Sequence, residues 1–535
     1  MAGFRQPELP RDQILLWDQR LDDAIPLDHE VRLFDQIIRS SFFKQTFLDW
    51  EKTYDLTEGQ PPYHPLCLCS LYLYGMLHRL RSSRALESAC YNRIDVQWLM
   101  AGQKPDYSTS ANFVKKNQVL LRRIYKDTLA IASEANLIKL EHVAYDGTKI
   151  GADAGKGSTH KKATIEAQLA ALQARVEAEE REWAQNEQRE NALFGSAGAE
   201  VPRENKSPPK RLAELHRKQE LLTRALKNIQ QRCDASTHSE APKAIASTTD
   251  PDSRTMPSKE GGSRPNYNAH LGVDHAHGFI VAQGVSDDAE DNAQLVPMLE
   301  ATRANTGQLP EKISADGNYL TGPNLAALEE MDVVAFIPAE EKASQPKQTP
   351  PVNQTGAAVS LAPRTPPAHD PFAGLPQDSH HRITKQAFAF DPVADEYRCP
   401  MGQTLKFVGS STVEKNSGER HRRAYHCSEC HACPRANQCC VNPKTGRTVK
   451  RDQYDELRER HRQHMLAPES KTQYDLRKQT VEPCFGHIKA VLGVRRFMHR
   501  GIEAVRTEWS TLCAVVNFKG LLAHWDVVAR VVAGA

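Results

Sequence analysis

The chain has 535 residues, of which 39% are hydrophobic and 25% are charged, and its formal net charge is +2. That length exceeds one ordinary hydrophobic core and predicts roughly two to four domains. No run of about 18 apolar residues occurs, which argues against a transmembrane helix, and the first residues lack the apolar stretch of a signal peptide. We therefore expect a packed globular protein of the cytosol.

Basic residues are concentrated in two segments. Residues 444–506 contain 15 Lys and Arg against 8 Asp and Glu, and residues 203–232 contain 9 against 3. Such patches attract polyanions, because contacts to phosphate release counterions. A solvated helix face explains either patch alone equally well.

Residues 1–135 are predicted to form a helical N-terminal domain. The segment LCLCSLYLYGMLHRL is apolar enough that it must be buried, and Ser82 or Ser83 is a candidate cap for the next helix. PDYSTSANFVKKN opens a further helix after Pro105. Short helices joined by polar turns fit a helix-turn-helix-like DNA reader as well as a plain bundle, and these residues alone favour the bundle.

Residues 136–340 show an alternating α/β pattern. LEHVAYDGTKIG predicts a strand that ends in a turn at Asp146 and Gly147, and EKISADGNY predicts another strand with Asp316 at its tip. NYNAHLGVD and GFIVAQGVS, separated by HAHG, predict a β-hairpin. DNAQLVPMLEATRAN and LTGPNLAALEEM are typical of helices, and DVVAFIPA is typical of a strand.

A separate helical unit interrupts this pattern at residues 160–232. Two apolar seams with helical spacing flank a segment, FGSAGAEVPRENKSPP, that cannot be helical throughout. We predict two antiparallel helices, a coiled-coil hairpin inserted into the surrounding domain. The seams are formed by Ile165, Leu169, Leu172 and Val176, and by Leu212, Leu215, Leu222, Leu226 and Ile229.

The C-terminal third divides by composition. Residues 341–381 are rich in Pro, Gln, Ser, Thr and Ala and predict a disordered linker, and residues 446–535 predict a helical part. Residues 382–445 contain CSECHACPRANQCC, whose Cys-x-x-Cys spacing suits tetrahedral Zn²⁺. We predict a small structural zinc knuckle in which Cys399 or His431 can replace one ligand; unmetallated thiols are the rival interpretation. The predicted ligands are Cys427, Cys430, Cys433 and Cys439.

Three acidic residues are candidates for catalysis. Asp146 and Asp316 each precede a glycine at a predicted strand end, and Glu482 lies in the late helical region. Opening a phosphodiester needs a strong nucleophile and neutralised phosphate charge, which two Mg²⁺ ions held by carboxylates from separate elements can supply. Each aspartate alone is more simply explained by turn geometry, so the interpretation depends on the three together.

The motifs around these residues carry a family resemblance. VAYDGTKIGADAG, ISADGNYLTGPN and TVEPCFGHIKAVLGVRRFMHRG resemble the three catalytic motifs of insertion-sequence DDE transposases. TDPDSRTM with the segment beginning YNAHLGVD resembles the family's region between the two aspartates, and the segment beginning YHPLCLCSLYLYG resembles its helical N-terminal domain. The resemblance covers nearly the whole chain except residues 160–232 and 340–381.

The resemblance implies a fold and a set of partners. The fold expected is α/β and RNase H-like, a mixed sheet flanked by helices, here with an all-α N-terminal domain and the inserted hairpin. Asp146 would contact both of two Mg²⁺ (or Mn²⁺) ions, while Asp316 and Glu482 would each hold one side of the pair. DNA, as element ends and target, would be the partner of a homodimer on paired ends.

The resemblance also implies residues that grip phosphate near the cut. Tyr474, a basic residue and Lys489 match the signature around the glutamate, and either Arg477 or Lys478 can fill the basic position. The same motif contributes three further DNA-binding candidates, Arg495, Arg496 and Arg500. Because Pro483 disfavours helical geometry at the residue before it, we place Glu482 at a helix start or kink with Pro483 at the first helical position.

The expected reaction is metal-assisted strand cleavage at the element ends, which gives a 3′-hydroxyl that then attacks target DNA. One alternative is an RNase H-like nuclease that cuts without strand transfer. Another is a catalytically inactive, transposase-derived DNA-binding protein, although all three carboxylates are retained. No GxxxxGK[ST] motif occurs, so the sequence gives no sign of ATP use.

Overall fold

The computed structural model describes residues 3–5, 20–56, 60–194, 209–235, 244–257, 261–338, 375–378, 381–415 and 418–534. The chain divides into two compact units. The first unit comprises Met1–Ala315, Met331–Phe336 and Thr472–Ala535, and the second unit comprises Asp316–Glu330 and Ile337–Lys471. Most of the predicted linker at 341–381 lies outside the described residues, and the predicted domain boundaries stay predictions.

The first unit begins with helices, as the sequence predicts. The apolar segment forms α3, most of whose residues are buried, so its predicted burial is confirmed. Ser82 caps α4 by accepting a hydrogen bond from the amide of Ala85, and Asp106 caps α6 in the same way through Thr109. Within the described residues of 1–135 the seven α-helices are α1 (Glu30–Ile38), α2 (Ser41–Glu51), α3 (Pro65–Leu77), α4 (Ser83–Asn92), α5 (Ile94–Leu99), α6 (Tyr107–Lys116) and α7 (Gln118–Glu134).

A six-stranded mixed sheet forms the centre of the first unit. Strand β1 pairs antiparallel with β5 on one side and parallel with β7 on the other, and β8 continues in parallel beyond β7. The far edge of β5 pairs antiparallel with β6 and β4, which confirms the predicted hairpin. This is the RNase H-like mixed α/β arrangement that was expected. The strands are β1 (His142–Gly151), β4 (Arg254–Pro257), β5 (Ser263–Asp274), β6 (Ile280–Ser286), β7 (Lys312–Ala315) and β8 (Val334–Phe336).

The predicted end of β1 at Asp146 is wrong, because β1 continues to Gly151 in register with β5. The parallel partner β7 stops earlier, with Ala315 opposite Tyr145, so Asp146 is the first residue of β1 beyond that pairing. Gly147 lies inside the strand, where a Cβ would come within 2.6 Å of Asp291 Oδ1. A close approach of neighbouring side chains, rather than a turn, therefore requires glycine at this position.

Helices cover the sheet of the first unit. They are α10 (Leu295–Thr306), α15 (Ile502–Ala523) and the part of α14 (Pro468–Gly486) from Thr472 onward, and α16 (Trp525–Gly534) packs on α7 and α15. The buried face of α15 includes Trp509, whose indole N–H donates to the carbonyl of His270 on β5 at 3.2 Å. Among the described helices no single one is long and apolar enough to cross a membrane, and only α15 and α16 taken as a pair bent by 100° reach that composition.

Pro483 lies inside α14, near its C-terminal end, so the prediction that it opens a helix is wrong. Proline lacks the N–H that would bond to the carbonyl four residues earlier. The helix accommodates this loss and passes after Gly486 into a π-helical turn, His487–Val491. Prolines and π-turns are both places where a helix changes course. Glu482 consequently projects from the last turns of a helix that is already formed.

The inserted unit at residues 160–232 consists of two long helices, α8 (Lys162–Phe194) and α9 (Lys210–Ala235). Both predicted seams contribute to one hydrophobic cluster between the helices. At the base of the pair, β2 (Thr159–Lys161) and β3 (Ile245–Ser247) form a two-stranded antiparallel ribbon. The helical hairpin is therefore inserted within the first unit at one place along the chain, between β1 and β4.

The second unit contains a five-stranded antiparallel sheet that the sequence analysis missed. Its strands, in the order β13-β12-β11-β10-β9, enclose a core with buried Tyr397, Leu405 and Tyr425. An apolar core therefore organises this segment, which the sequence did not predict, and the zinc knuckle predicted within residues 382–445 stays a prediction. The elements are α11 (Gly322–Glu330), β9 (Ala389–Asp391), β10 (Glu396–Arg398), β11 (Thr404–Lys415), β12 (Gly418–Cys427), α12 (Ala436–Cys439), β13 (Arg447–Asp452) and α13 (Asp455–Leu466).

Candidate active site

Helix α14 is anchored to the sheet of the first unit by polar contacts at both ends of one face. The Oε1 atom of Gln473 lies 3.2 Å from His142 Nδ1 on β1, and the hydroxyl of Thr480 lies 2.7 Å from His275 Nδ1. Because residues three or four apart share a helix face, these contacts also turn Arg477, midway between them, toward β1.

Arg477 joins two of the three predicted catalytic carboxylates. Its Nη1 atom donates to Asp146 Oδ2 at 2.7 Å, and its Nη2 atom lies 4.0 Å from Glu482 Oε1. The side chains of Arg477 and Asp146 are only 11% and 19% exposed, whereas Glu482 is 54% exposed. A largely buried cation is therefore shared between a strand carboxylate and a helix carboxylate.

The donor chemistry of this pair suits a divalent cation. Carboxylate oxygens are the ligands that Mg²⁺ prefers, and both carboxylates already meet a positive charge in Arg477. The second oxygen of Asp146 is fixed by the amide of Gly147, which donates to Oδ1 at 2.8 Å. Within the described residues, no group of three or more His, Cys, Asp or Glu side chains is arranged to hold a metal ion.

Asp316 is the first residue of the second unit. It directly follows β7, so its predicted place at the end of a strand is confirmed. Its Oδ1 atom accepts a hydrogen bond from the amide of Gly317 at 2.7 Å and caps the short 3₁₀ turn Gly317–Tyr319. The geometry thus joins Asp146 to Arg477 by a hydrogen bond and brings Glu482 within 4.0 Å of it, while the catalytic roles of all three carboxylates remain predictions.

The remaining residues of the glutamate motif take different positions. Lys489, in the π-helical turn, donates through Nζ to the hydroxyl of Thr148 and to the carbonyl of Lys149 at 3.4 Å, which places its ammonium group beside β1. The ring centroid of Tyr474 lies 5.9 Å from the guanidinium carbon of Arg477. Lys478 is exposed. Of the two candidates for the basic position, Arg477 is the one that contacts a predicted catalytic carboxylate.

The predicted DNA-binding arginines lie on the segment between the π-helical turn and α15, here called the basic loop (residues 495–500). The amide of Gly151 donates to the carbonyl of Arg495 at 3.1 Å, which attaches the loop to the end of β1. Arg500 donates through Nε to Asp153 Oδ2 at 2.9 Å, and Arg496 Nη1 lies 3.7 Å from Asp153 Oδ1. All three arginines are exposed, and Asp153 orients two of them.

Family models match three parts of the chain. Residues 19–116 match a family described as a transposase domain, and residues 236–391 and 398–522 match two families that are each described as a transposase DDE domain. The chain belongs to the insertion-sequence DDE transposases. No curated protein matches it in sequence. The family acts on DNA and generally uses divalent metals.

Sequence reasoning missed several residues that shape the site of this transposase. The hydroxyl of Thr148 and the carbonyl of Lys149 accept hydrogen bonds from the ammonium group of Lys489. The side chain of Lys149 in turn donates through Nζ to the carbonyl of Ala289 at 2.6 Å. Their place within VAYDGTKIGADAG was the signal that could have pointed to them. His270 and Asp291, which lie beside Gly147, carried no comparable signal, because β5 and the segment after β6 bring them there.

Two buried histidines of the transposase remain neutral near pH 7. Burial lowers the pKa of His142 and of His270 to about 4. His142 hydrogen-bonds Ser314 on β7 through Nε2 at 2.9 Å, in addition to its contact with Gln473. It therefore links β1, β7 and α14 as an uncharged group and adds no positive charge near Asp146.

The cysteines of the second unit gather around a small cavity. Burial raises the pKa of the thiols of Cys427, Cys430, Cys439 and Cys440. Because their pKa values are raised, these groups are neutral thiols near pH 7. The cavity is lined by Cys399 and Cys440 as well as by the four predicted ligands, Cys427, Cys430, Cys433 and Cys439.

Proposed function

We propose that this transposase cuts one DNA strand at each end of an insertion sequence and joins the resulting 3′-hydroxyl to target DNA. The observation that carries the proposal is the sharing of Arg477 by Asp146 and Glu482. These two carboxylates come from different motifs of the family, one on the central strand and one on a late helix. An ion pair that served only the fold would need Asp146 alone. Here Arg477 also lies close to Glu482, a second predicted catalytic carboxylate.

Asp146, Asp316 and Glu482 would hold the two Mg²⁺ or Mn²⁺ ions that the family resemblance implies. Bound there, the ions supply a deprotonated nucleophile and neutralise charge on the scissile phosphate. Lys489 is positioned by Thr148 and Lys149 to bind a phosphate oxygen beside β1, as Tyr474 and Arg477 would do from α14. The assignment of Asp316 is supported by its motif and by its place directly after β7.

The chemistry consists of two in-line substitutions at phosphorus. In the first, water attacks the phosphodiester at the element end, the bond from phosphorus to the 3′-oxygen breaks, and a proton passes to that oxygen to give the 3′-hydroxyl. In the second, this hydroxyl loses its proton and attacks a target phosphodiester, whose own 3′-oxygen leaves. Each step replaces one phosphorus–oxygen bond by another, so one set of carboxylates serves both.

A strand-transfer assay tests the proposal. The protein is incubated with labelled DNA that carries the element ends, together with supercoiled target DNA and Mg²⁺. Covalently joined donor–target DNA is expected. Donor DNA that is nicked but not joined to the target would favour an RNase H-like nuclease. Binding of the DNA without any cleavage would favour an inactive, transposase-derived DNA-binding protein. A homodimer on paired ends belongs to the same proposal, because joining both ends to one target requires that they be held together.

Arg477 is expected to compete with metal for Asp146. In Arg477→Gln, Mn²⁺ should bind roughly tenfold more tightly than in the parent protein, since one charge-assisted hydrogen bond of about 1.5 kcal/mol no longer has to be broken. Loss of the electron paramagnetic resonance signal of free Mn²⁺ measures this affinity without any dependence on activity. The signal comes from free aqueous Mn²⁺ alone, so the affinity can be measured without DNA in the sample.

Lys478→Gln is the matched control for this measurement. It removes one positive charge from the neighbouring, exposed position on α14, so Mn²⁺ affinity should change by less than about twofold. Equal affinities for the Arg477 and Lys478 variants would contradict the proposed competition.

We propose, separately, that the cysteine cavity binds one structural Zn²⁺ through thiolates, with Cys430 among the ligands. Support comes from the gathering of six cysteines and from the preference of zinc for thiolate sulfur. Since ligation needs deprotonated thiols, zinc must overcome the raised pKa values.

Metal analysis is expected to find about one zinc per chain in the purified protein. Cys430→Ser should lose it, whereas Cys67→Ser on α3 should retain it. Zinc-free parent protein with reactive thiols would establish the unmetallated interpretation instead.

A further inference from the structure

The two helices of the inserted hairpin carry opposite net charge. Helix α9 has seven basic and three acidic residues, whereas α8 has four basic and seven acidic residues. Ion pairs between the two helices account for some of these charges, such as the pair between Arg211 and Glu179 at 2.8 Å. The basic residues of α9 that face away from α8 need another explanation.

Four basic residues share the outer face of α9. The buried seam that packs against α8 includes Leu215, Leu222 and Ile229. At 100° per residue, the opposite side of the helix presents the set defined here as the α9 basic face, which extends over about 26 Å. All four of its side chains are exposed, and a single acidic residue, Glu220, lies among them. The α9 basic face consists of Lys210, Arg217, Arg224 and Lys227.

The α9 basic face is fixed next to the basic loop through Asp252. Arg224 donates through Nη2 to Asp252 Oδ2 at 2.6 Å, and the amide of Ile502 donates to the same oxygen at 2.9 Å. Asn228, one turn further along α9, donates to the carbonyl of Pro251 at 2.9 Å. Arg500 precedes Ile502 by two residues, so one carboxylate links the side chain of α9 to the end of the basic loop.

We propose that the α9 basic face binds the sugar–phosphate backbone of duplex DNA and extends along the hairpin the DNA-binding surface that the family resemblance predicts for the basic loop. A row of exposed cations about 26 Å long matches most of one turn of the duplex, about 34 Å. The contacts are to phosphates and carry no sequence information. The proposal goes beyond the strand-transfer chemistry and shares with it only the assumption that DNA is the substrate.

Salt-dependent binding tests this surface in the full-length protein. The variant Lys210→Gln/Arg217→Gln/Lys227→Gln removes three exposed charges and leaves Arg224, which is needed to hold Asp252. Each lost phosphate contact lowers the slope of log K against log salt by about 0.9, so the slope should fall by about 2–3. Fluorescence anisotropy with end-containing duplex measures the slope, and affinity near 0.1 M salt should fall on the order of tenfold.

The control removes the same number of charges from α8 of the same hairpin, as Arg175→Gln/Arg181→Gln/Arg189→Gln. All three side chains are exposed, and the salt slope should stay within about 0.5 of the parent value, because these residues lie away from the α9 basic face. Duplex binding by the α9 variant that matches the parent, or equal losses of affinity in the α8 and α9 variants, would overturn the proposal. The α9 basic face would then be a solvated helix face or a surface that binds protein.

The two proposals fail in different ways. A parent protein that binds duplex through the α9 basic face but yields neither nicked nor joined DNA contradicts the strand-transfer function alone. A parent that joins ends normally while the α9 variant keeps its salt slope contradicts the present inference alone. Thermal melting of both triple variants checks that each hairpin is folded.

Discussion

Asp146→Asn is expected to abolish DNA cleavage and joining, with a loss on the order of 10³-fold or more. The substitution keeps the shape of the side chain but removes the charge that two divalent ions would share. A loss of about 4 kcal/mol in stabilising the transition state corresponds to that factor. Rates of nicking and joining with Mg²⁺, measured in single turnover, give the result, and duplex affinity measured in parallel should stay close to that of the parent.

Asp475→Asn is the matched control, since it makes the same chemical change at an exposed aspartate of α14, two residues from Arg477. Its cleavage rate should remain within about twofold of the parent, because surface charges contribute little. Unimpaired cleavage by Asp146→Asn would remove Asp146 from the site, even though it contacts Arg477. Loss in both variants would instead indicate a general requirement for charge around α14.

Local periodicity predicted much of the first unit. The hairpin of β5 and β6 followed from two β-prone runs around HAHG, and the packing of α8 on α9 followed from two apolar seams. In each case the burial of one face dictates the spacing within a single element. The order of the motifs also placed Asp146 next to the central strand and Glu482 on a late helix, although the first was assigned to a turn.

The failures share one physical cause, which is contacts between residues far apart in the chain. Asp-Gly at 146–147 suggests a turn locally, but pairing with β5 continues the strand and the side chain of Asp291 requires the glycine. Similarly, Pro483 by itself predicts a helix start. In the fold, the preceding turns of α14 are stabilised by packing on the sheet, so the helix is already formed before the proline. Spacing alone left Arg477 and Lys478 equivalent, and only the hydrogen bond to Asp146 separates them.

The strands of the second unit were not predicted, because the Cys-x-x-Cys spacing was interpreted as a zinc site and the strands carry only a weak pattern. Residues 404–415 and 418–427 together hold as many charged residues as hydrophobic ones, seven of each, and the hydrophobic ones do not alternate regularly. The buried Tyr397, Leu405 and Tyr425 that form the core come from three different strands. A core assembled from single residues of separate strands leaves little periodicity to detect in any one of them.

Glu508 is expected to be the most stability-sensitive carboxylate that lies outside the catalytic motifs. Its side chain, on α15, is 1% exposed. It accepts hydrogen bonds from Arg81 Nη2 at 2.8 Å, from the amide of Met498 at 2.9 Å and from the amide of His499 at 3.1 Å. One carboxylate thus joins the loop before α4, the basic loop and α15. Glu508→Gln should lower the free energy of unfolding by about 3–5 kcal/mol, the range for breaking a buried ion pair at one partner.

Glu503→Gln separates this effect from the loss of any glutamate on α15. Glu503 is 55% exposed and pairs with Arg122 and Arg506, so its loss should cost less than about 1 kcal/mol. Thermal melting and limited proteolysis of the basic loop measure the two variants, and equal melting temperatures would contradict a special role for Glu508. Proteolysis adds information because Glu508 fixes the loop amides directly.

The pH dependence of stability gives an independent check. Burial alone would raise the pKa of Glu508, but the hydrogen bonds and charges of His499 and Arg81 outweigh it and hold that pKa below the ordinary value. A depressed pKa in the folded state contributes stability above the unfolded pKa, about 4.3, and this contribution disappears as the pH falls through the folded value. The parent should therefore lose stability relative to Glu508→Gln as the pH drops below about 4.3. A constant difference between the two proteins from pH 7 to pH 3 would mean that the carboxylate charge is not what holds the basic loop to α15.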